Sequence, residues 1–226
     1  MTRMPKICGV LATAAAMAAL AVAPAHAVYD PACGEVETAR PHKRVNPDGR
    51  PPLAIGDSTM LLALPDLAHE GYEVNAHGCR QIEEGLDVIR EAKRAGKLPH
   101  LVVIALGADA SLSIGELDRA FNLLGPKRVL GLVTPRELGG GASSDADHVR
   151  TVAKRHRKRA VLLDWVAYSA GHPSWFQPDG LHLTFDGAAA FARLLRQALP
   201  YAKAGAFPGG PPKGEAGLGE EGTPVG

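Results

Sequence analysis

The chain has 226 residues, of which 46% are hydrophobic and 22% are charged, and its formal net charge is +1. That composition is typical of an ordinary globular protein with one sizeable core. The near-zero net charge gives no reason to expect nucleic acid or an anionic membrane surface as a partner.

The first 27 residues have the pattern of a secretory signal peptide. Arg3 and Lys6 form a basic start, an apolar stretch runs from Ile7 to Val22, and Ala25-His26-Ala27 forms an A-x-A end. These parts predict cleavage after Ala27 and therefore a secreted or cell-envelope location. An uncleaved membrane anchor is the alternative, but the stretch is short and alanine-rich for a stable span. No other window is apolar enough to cross a bilayer, so we expect no stable membrane span after cleavage.

Two cysteines remain after cleavage, Cys33 and Cys79. In an oxidising compartment two thiols make one candidate disulfide, which would tie the N-terminal arm to the main domain. Two free thiols are the alternative, because the sequence does not reveal whether the two residues come within bonding distance.

The mature chain divides into three parts. Residues 28–50 are polar, basic and Pro-containing, which predicts an extended arm. Residues 51–203 alternate short apolar runs with longer amphipathic segments and form the one expected domain. Residues 204–226 are rich in Gly and Pro with almost nothing to bury, which predicts a disordered tail.

Five short apolar runs in the domain predict β-strands, and amphipathic segments between them predict helices. The third run is apolar without alternation, as expected for a strand covered on both faces. Ile82, Leu86 and Ile89 recur at helical spacing, and a later stripe ends at Gly125, a natural helix cap. Strands that alternate with helices predict a parallel sheet flanked on both faces, a three-layer α/β/α domain. The five runs are PLAIG, YEVNAH, HLVVIALG, RVLGLVTP and AVLLDW.

Polar residues and glycines follow these strands. Gly56-Asp57-Ser58 comes directly after the first strand, and PDGLHLT, with Asp179 and His182, precedes the last helix. In parallel sheets ligands bind beyond the carboxyl ends of the strands, so we expect these residues to meet at one edge. Serine is a weak nucleophile that needs a base within hydrogen-bond reach and an acceptor that orients the base. Ser58, His182 and Asp179 can fill these roles, and a helix start at Ser58 favours a developing oxyanion.

Four blocks of sequence resemble those of the SGNH (GDSL-type) hydrolase superfamily in order and in separation. They are IGDSTM, Gly78, LGADAS and DGLH, and the resemblance covers about residues 52–200. It implies a flavodoxin-like, five-stranded parallel sheet in the order 2-1-3-4-5 and an enzyme that acts on ester bonds. Ser58 would be the nucleophile, His182 the general base and Asp179 the residue that orients it. The oxyanion hole would combine the N–H groups of Ser58 and Gly78 with the side chain of the third block.

The third block departs from the family pattern, which has asparagine where this chain has Asp109. An amide donates a hydrogen bond to an oxyanion, whereas an ionised carboxylate cannot donate and repels the developing charge. Asp109 would stay protonated in a poorly solvated pocket and donate through its O–H, or it would point away and leave two donors. A slow enzyme, or one specialised for a substrate that brings a cation, is the third interpretation. We expect the first or the second.

Structural roles compete with the functional ones at these positions. Ser58 or Asp57 can cap the following helix, TMLLALPDLAHEG, and Asp57 in that role would leave the Ser58 hydroxyl free. Gly78 can be a tight-turn residue, and His182 a surface residue before a helix. The spacing of Asp179 and His182 in PDGLHLT favours catalysis over these alternatives.

Four larger side chains near the same edge also have two interpretations. Arg80 and Arg136 would contact an anionic substrate or simply be solvated. Trp175 and Phe176 would line the acyl or leaving-group pocket or cover the core.

Metal and nucleotide sites have no sequence signal. His77 and His172 lie in loops near this edge without compact metal-ligand spacing, and no P-loop or dinucleotide glycine pattern is present. We therefore expect no metal and no cofactor.

These residues and the resemblance together predict a secreted or envelope serine esterase that hydrolyses acyl or acetyl esters through an acyl-enzyme. One alternative is an O-acyltransferase that acts on envelope carbohydrate. The other is a non-catalytic carbohydrate-binding module on the same fold, which Asp109 would favour. The expected substrate is a small-molecule or carbohydrate ester, and we expect a monomer.

Overall fold

Six strands form a single sheet within the part of the chain that the computed structural model describes, residues 33–47 and 49–208. The predicted signal peptide, the start of the arm and residues 209–226 of the predicted tail lie outside these ranges. The strands are β1 (Glu37–Ala39), β2 (Leu53–Gly56), β3 (Glu73–Ala76), β4 (Leu101–Ala105), β5 (Val129–Val133) and β6 (Ala160–Leu163).

The five strands predicted from apolar runs are β2 to β6, and they run parallel. They lie side by side as β3, β2, β4, β5 and β6, which is the predicted order 2-1-3-4-5. Every residue of β4 and β5 is buried, because other elements cover both faces of the sheet. The predicted three-layer α/β/α fold is confirmed.

The sheet separates the buried side chains into two cores, one between each of its faces and the helices that cover that face. Ala54 of β2 belongs to a core with α1 and α6, and its neighbour Ile55 belongs to a core with α2, α3 and α4, because successive side chains of a strand point to opposite faces. The helices are α1 (Leu64–Glu70), α2 (Ile82–Arg94), α3 (Ile114–Leu124), α4 (Ser144–Arg155), α5 (Trp165–Tyr168) and α6 (Phe185–Arg196). Short 3₁₀ turns occupy Ser58–Ala63, Pro173–Trp175 and Leu199–Ala202.

Strand β1 is an addition to the predicted five-stranded sheet. It lies in the predicted arm and pairs antiparallel with β3, with Glu37 opposite Ala76 and Ala39 opposite Val74. Its three residues have no apolar alternation, and the first two are exposed. Backbone hydrogen bonds to the edge of β3, rather than burial, therefore hold this strand, which explains why no sequence pattern predicts it.

The helix predicted after the first strand is divided in two. Residues Ser58–Ala63 form a 3₁₀ turn, and α1 begins at Leu64 with Pro65 in its first turn. Pro65 fits at this point because the backbone N–H groups in the first turn of a helix have no acceptor within the helix, so its missing N–H costs no hydrogen bond. The predicted end at Gly125 is confirmed, since this residue is the C-cap of α3 and has a positive φ of 73°.

Long-range contacts fasten both ends of the described chain. A disulfide joins Cys33 to Cys79, with Cα atoms 5.3 Å apart, and ties the arm to the loop after β3. Residues 204–208, the start of the predicted tail, pack on the domain: Phe207 meets the ring of His100 edge-on, and Nε2 of His100 lies 3.0 Å from the carbonyl oxygen of Ala206.

Among the described helices, none is long and apolar enough to cross a bilayer.

Candidate active site

Asp57 caps the turn that carries Ser58. Its Oδ1 accepts hydrogen bonds from the Thr59 N–H at 3.1 Å and from Thr59 Oγ1 at 2.6 Å. Its Oδ2 accepts from the N–H of Ala108 at 3.1 Å, which joins the turn after β2 to the loop after β4. The alternative in which Asp57 is the cap is therefore confirmed, and the Ser58 hydroxyl is free for other contacts.

Burial makes Asp57 a structural residue rather than a reacting one. The residue is 1% exposed, and burial raises the pKa of its carboxyl above the ordinary value. The hydrogen bonds from Thr59 and Ala108 lower this pKa, and the negative charge of Asp109 raises it. The preceding Gly56 has no room for a side chain, since a Cβ there would lie 2.6 Å from the terminal methyl of Met60. The turn that presents Ser58 is thus fixed by close packing and by a buried cap.

Ser58, His182 and Asp179 lie within hydrogen-bond reach in the order that an activated hydroxyl requires. Ser58 Oγ is 3.1 Å from Nε2 of His182, and Nδ1 of that ring is 2.7 Å from Oδ2 of Asp179. When Nδ1–H donates to Asp179, Nε2 is free to accept the Ser58 proton. The arrangement can therefore deprotonate the serine as it attacks an electrophile.

The loop before α6 shapes this site through its own backbone. Oδ1 of Asp179 accepts from the N–H of Leu181 at 2.9 Å and of His182 at 3.0 Å. The N–H of Gly139 donates to the Asp179 carbonyl at 2.7 Å, and the N–H of Gln177 donates to the His182 carbonyl at 2.8 Å. One carboxylate oxygen of Asp179 thus holds the loop, and the other faces the imidazole.

The hydrogen bond from His182 lowers the pKa of Asp179 below its ordinary value, and the N–H of Leu181 acts in the same direction. We expect His182→Ala to raise the pKa of Asp179 toward the ordinary value without reaching it, because the Leu181 donor remains. Carbon NMR titration of the Asp179 carboxyl in the wild type and the variant measures this change. An identical pKa in both proteins would show that the imidazole does not reach Asp179 in solution.

Asp109 faces Ser58, and both expectations for its placement were wrong. Its Oδ2 lies 3.4 Å from Ser58 Oγ, so it does not point away, and the residue is exposed rather than enclosed in a poorly solvated pocket. Because Asp57 anchors Ala108, the next residue along lies beside Ser58 at the outer rim of the loop. The single Ser58 proton serves one acceptor at a time, so Asp109 competes for it with His182, although 3.4 Å is long for an O–H···O bond.

The two backbone groups predicted for the oxyanion hole lie at the same edge of the sheet. Gly56 is in register with Ala76, so Ser58 and Gly78 each lie two residues beyond a paired position. In the described ranges, neither N–H donates to a backbone carbonyl oxygen, apart from any bond that belongs to a regular helix or strand. Gly78 is also a close-packing residue, because a Cβ on it would lie 2.2 Å from the carbonyl oxygen of Cys33.

Two clefts flank Ser58 and Asp109. The first has a volume of about 370 Å³, and Ser58 and His182 lie on its wall together with Leu61, Gln177 and Glu37 of β1. The second has a volume of about 270 Å³ and is lined by Asp109 and by residues of the loops after β4 and β5. Sequence reasoning missed Glu37, because the arm is polar throughout and only the pairing of β1 with β3 brings this residue to the site.

The two arginines considered as substrate contacts have structural roles. Arg80 is 2% exposed, and its Nη1 donates to the carbonyl oxygens of Gly56 at 3.1 Å and Asn75 at 2.8 Å. Arg136 donates to the carbonyl oxygen of Gly180 and to Ser169 Oγ. Neither is simply solvated, because Arg80 donates to carbonyl oxygens in β2 and β3 and Arg136 donates to the loop before α6 and to Ser169.

The two aromatic residues before the last loop cover the core. Phe176 is buried beneath the guanidinium of Arg136, which lies 4.0 Å from its ring centroid. Trp175 stacks on Trp165 and on His172. The structure therefore favours the interpretation in which these two residues cover the core over the one in which they line a substrate pocket.

No cluster of three His, Cys, Asp or Glu side chains suitable for a metal ion occurs in residues 33–47 and 49–208. His77 lies 3.4 Å from the carbonyl oxygen of Gly34 and 3.7 Å from a carboxylate oxygen of Glu84, on the side of the arm. His172 stacks on Trp175. The expectation of no metal and no cofactor stays a prediction.

Comparison with known proteins found curated relatives and solved structures that share this fold. No protein-family model matches the chain. It is 27% identical over 149 residues to the peptidoglycan O-acetyltransferase OatA of Listeria monocytogenes, covering 65% of this chain and 24% of that protein. The chain spans about a quarter of the length of the curated relatives it matches.

Two solved structures share the architecture. The C-terminal catalytic domain of peptidoglycan O-acetyltransferase A from Streptococcus pneumoniae aligns with a TM-score of 0.57 and 24% identity, over 68% of this chain and 94% of that one. Axe2, an acetyl xylan esterase from Geobacillus stearothermophilus, aligns with a TM-score of 0.55 and 15% identity, over 70% of this chain and 98% of that one. Together with the strand order, these likenesses confirm the resemblance at the level of the fold: the chain has the SGNH (GDSL-type) hydrolase fold.

Proposed function

We propose that this chain is a serine esterase that removes a short acyl group, such as acetyl, from an ester through an acyl-enzyme on Ser58. The observation that carries the proposal is the chain of contacts from Ser58 Oγ to His182 Nε2, at 3.1 Å, and from His182 Nδ1 to Asp179, at 2.7 Å. A serine that merely caps a helix needs no imidazole, and here Asp57 already provides the cap. The relatives named O-acetyltransferase and acetyl xylan esterase support an ester of acetate as the substrate class.

In the first half of the reaction, Ser58 Oγ attacks the ester carbonyl while His182 Nε2 accepts its proton. Asp179 keeps Nδ1–H facing it and stabilises the imidazolium that forms. The N–H groups of Ser58 and Gly78 donate to the oxygen that becomes negative. The C–O bond of the ester then breaks, the leaving alkoxide takes the proton from His182, and the acyl group remains on Ser58.

In the second half, a water molecule or another hydroxyl attacks the acyl-enzyme. His182 again accepts the proton of the attacking group and returns it to Ser58 Oγ when the acyl group leaves. Water as the attacking group gives hydrolysis. A sugar hydroxyl gives O-acyl transfer, which is the second candidate function, and the named activity of OatA favours it.

Labelling with a fluorophosphonate probe tests the first step. We expect the mature wild-type protein to be labelled and to hydrolyse p-nitrophenyl acetate, and we expect Ser58→Ala to do neither. Ser174→Ala, which changes an exposed serine outside the triad, is the matched control that should still be labelled. A wild type that is neither labelled nor active would contradict the proposal and favour the non-catalytic carbohydrate-binding module.

Hydrolysis and transfer are separated by the fate of the acyl group. The protein is incubated with p-nitrophenyl acetate and a chito-oligosaccharide, and acetylated sugar is measured by mass spectrometry against free acetate. Acetate alone supports the esterase, whereas acetylated sugar that depends on Ser58 supports the transferase. Export of the protein is part of the same proposal. N-terminal sequencing that finds Val28 as the first residue of the exported protein would support it.

A further inference from the structure

The loop after β3, which carries Gly78, is clamped from the side of the arm. The disulfide joins Cys79 to Cys33, directly after Gly78. The carbonyl oxygen of Cys33 packs so closely on Gly78 that a Cβ there would lie 2.2 Å from it. His77, the residue before Gly78, lies 3.4 Å from the carbonyl oxygen of Gly34. Contacts with the arm therefore hold one side of the backbone group that we propose as an oxyanion donor.

Cys79 has an unusual backbone conformation. Among residues 33–47 and 49–208 it is the one non-glycine residue with a positive φ, which is 56°. A side chain with a Cβ rarely adopts this left-handed region, and such residues persist only where the surroundings impose the conformation. They also concentrate at active sites, where the strained geometry positions a reacting group.

The other side of this loop is held by Arg80. Its buried guanidinium donates to the carbonyl oxygens of Gly56 and Asn75, and its N–H lies 3.4 Å from the His77 carbonyl. Gly56 is the last residue of the strand that leads to Ser58. Arg80 therefore fixes the loop relative to the nucleophile, and the disulfide fixes the residue between Arg80 and Gly78.

From these contacts we infer that the Cys33–Cys79 disulfide is a positioning element of the active site, which holds Cys79 in its left-handed conformation and thereby aims the Gly78 N–H at the oxyanion. The inference rests on the proposed function of Ser58. The position of this donor matters more here than in a site with three donors, because Asp109 replaces the amide donor that the family pattern has at this place. Misplacing one of two donors is expected to lower kcat by about tenfold to a hundredfold.

The test compares oxidised and reduced full-length mature protein. Cys79 is exposed and Cys33 half-buried, so dithiothreitol can reach the bond, and it reduces the disulfide to two thiols while it is oxidised to its cyclic disulfide. We expect kcat for p-nitrophenyl acetate to fall at least about tenfold, while KM stays within about twofold and the circular dichroism spectrum is retained. A disulfide with a purely structural role would lower the melting temperature and leave kcat unchanged.

Two double variants separate the conformation of Cys79 from the cross-link. Cys33→Ala with Cys79→Ser should lose activity as the reduced protein does, because serine resists a positive φ. Cys33→Ala with Cys79→Gly should have a kcat at least about threefold higher than that of the serine variant, because glycine adopts the left-handed region without a penalty. Equal kcat values in the wild type and both variants would overturn the inference, as would equal losses in both variants.

Hydrogen exchange of residues 77–80 gives a readout that does not depend on catalysis. We expect faster exchange in the reduced protein than in the oxidised protein, and unchanged exchange would overturn the inference even if the double variants failed to fold. A disulfide that proves irrelevant in a wild type that labels on Ser58 refutes this inference alone. A wild type that does not label refutes the proposed function instead.

Discussion

Asp179→Asn is expected to lower kcat for p-nitrophenyl acetate about 10⁴-fold while leaving the fold intact. The Oδ2 atom of Asp179 accepts from Nδ1 of His182 at 2.7 Å and so selects the tautomer in which Nε2 can take the Ser58 proton. An asparagine amide can donate to Nδ1 instead, which would place the proton on Nε2, where it blocks the reaction. The neutral amide also fails to stabilise the imidazolium.

The same substitution should change the free energy of unfolding little. An asparagine carbonyl can still accept the N–H groups of Leu181 and His182 that Oδ1 of Asp179 accepts now. The matched control is Asp186→Asn, an exposed carboxylate in the first turn of α6, which should retain wild-type kcat. Steady-state kinetics and urea unfolding of the three proteins measure both quantities. A kcat for Asp179→Asn within about tenfold of the wild type would show that Asp179 does not orient the base.

Much of this site is predictable because it depends on local patterns and chain order. The apolar runs of β4 and β5 need burial on both faces, and parallel strands bring their carboxyl ends to one edge. Ser58 follows the first of these parallel strands, and Asp179 and His182 share one short loop before the last helix. The sequence therefore predicts both the fold and the three residues that meet there.

The parts that escaped prediction depend on contacts that leave no local pattern. Glu37 reaches the first cleft only because β1 pairs with the exposed edge of β3. Arg80 is buried because two carbonyl oxygens, from Gly56 and Asn75, accept its hydrogen bonds. Asp109 is the clearest case, since its identity was recognised as unusual but its exposure and direction follow from the anchoring of Ala108 by Asp57.

Asp109→Asn is expected to raise kcat for p-nitrophenyl acetate, by about tenfold to a hundredfold near neutral pH. In the wild type, the carboxyl oxygen of Asp109 that lies 3.4 Å from Ser58 Oγ competes with His182 for the serine proton, and a carboxylate at this place repels the oxyanion. An amide of the same shape removes the repulsion and can turn its NH₂ group toward the oxyanion as a third donor.

Asp109→Ala separates the two contributions, because it removes the charge without adding a donor. We expect its kcat near neutral pH to lie between those of the wild type and Asp109→Asn. The measurement is kcat across pH for the three proteins with a neutral ester. If Asp109→Asn were less active than the wild type at every pH, the carboxylate would be a working part of the site. Its exposed position beside Ser58 would then favour a substrate that brings a cation to Asp109. The same variants assayed with a cationic ester would reveal this preference as a KM higher than that of the wild type.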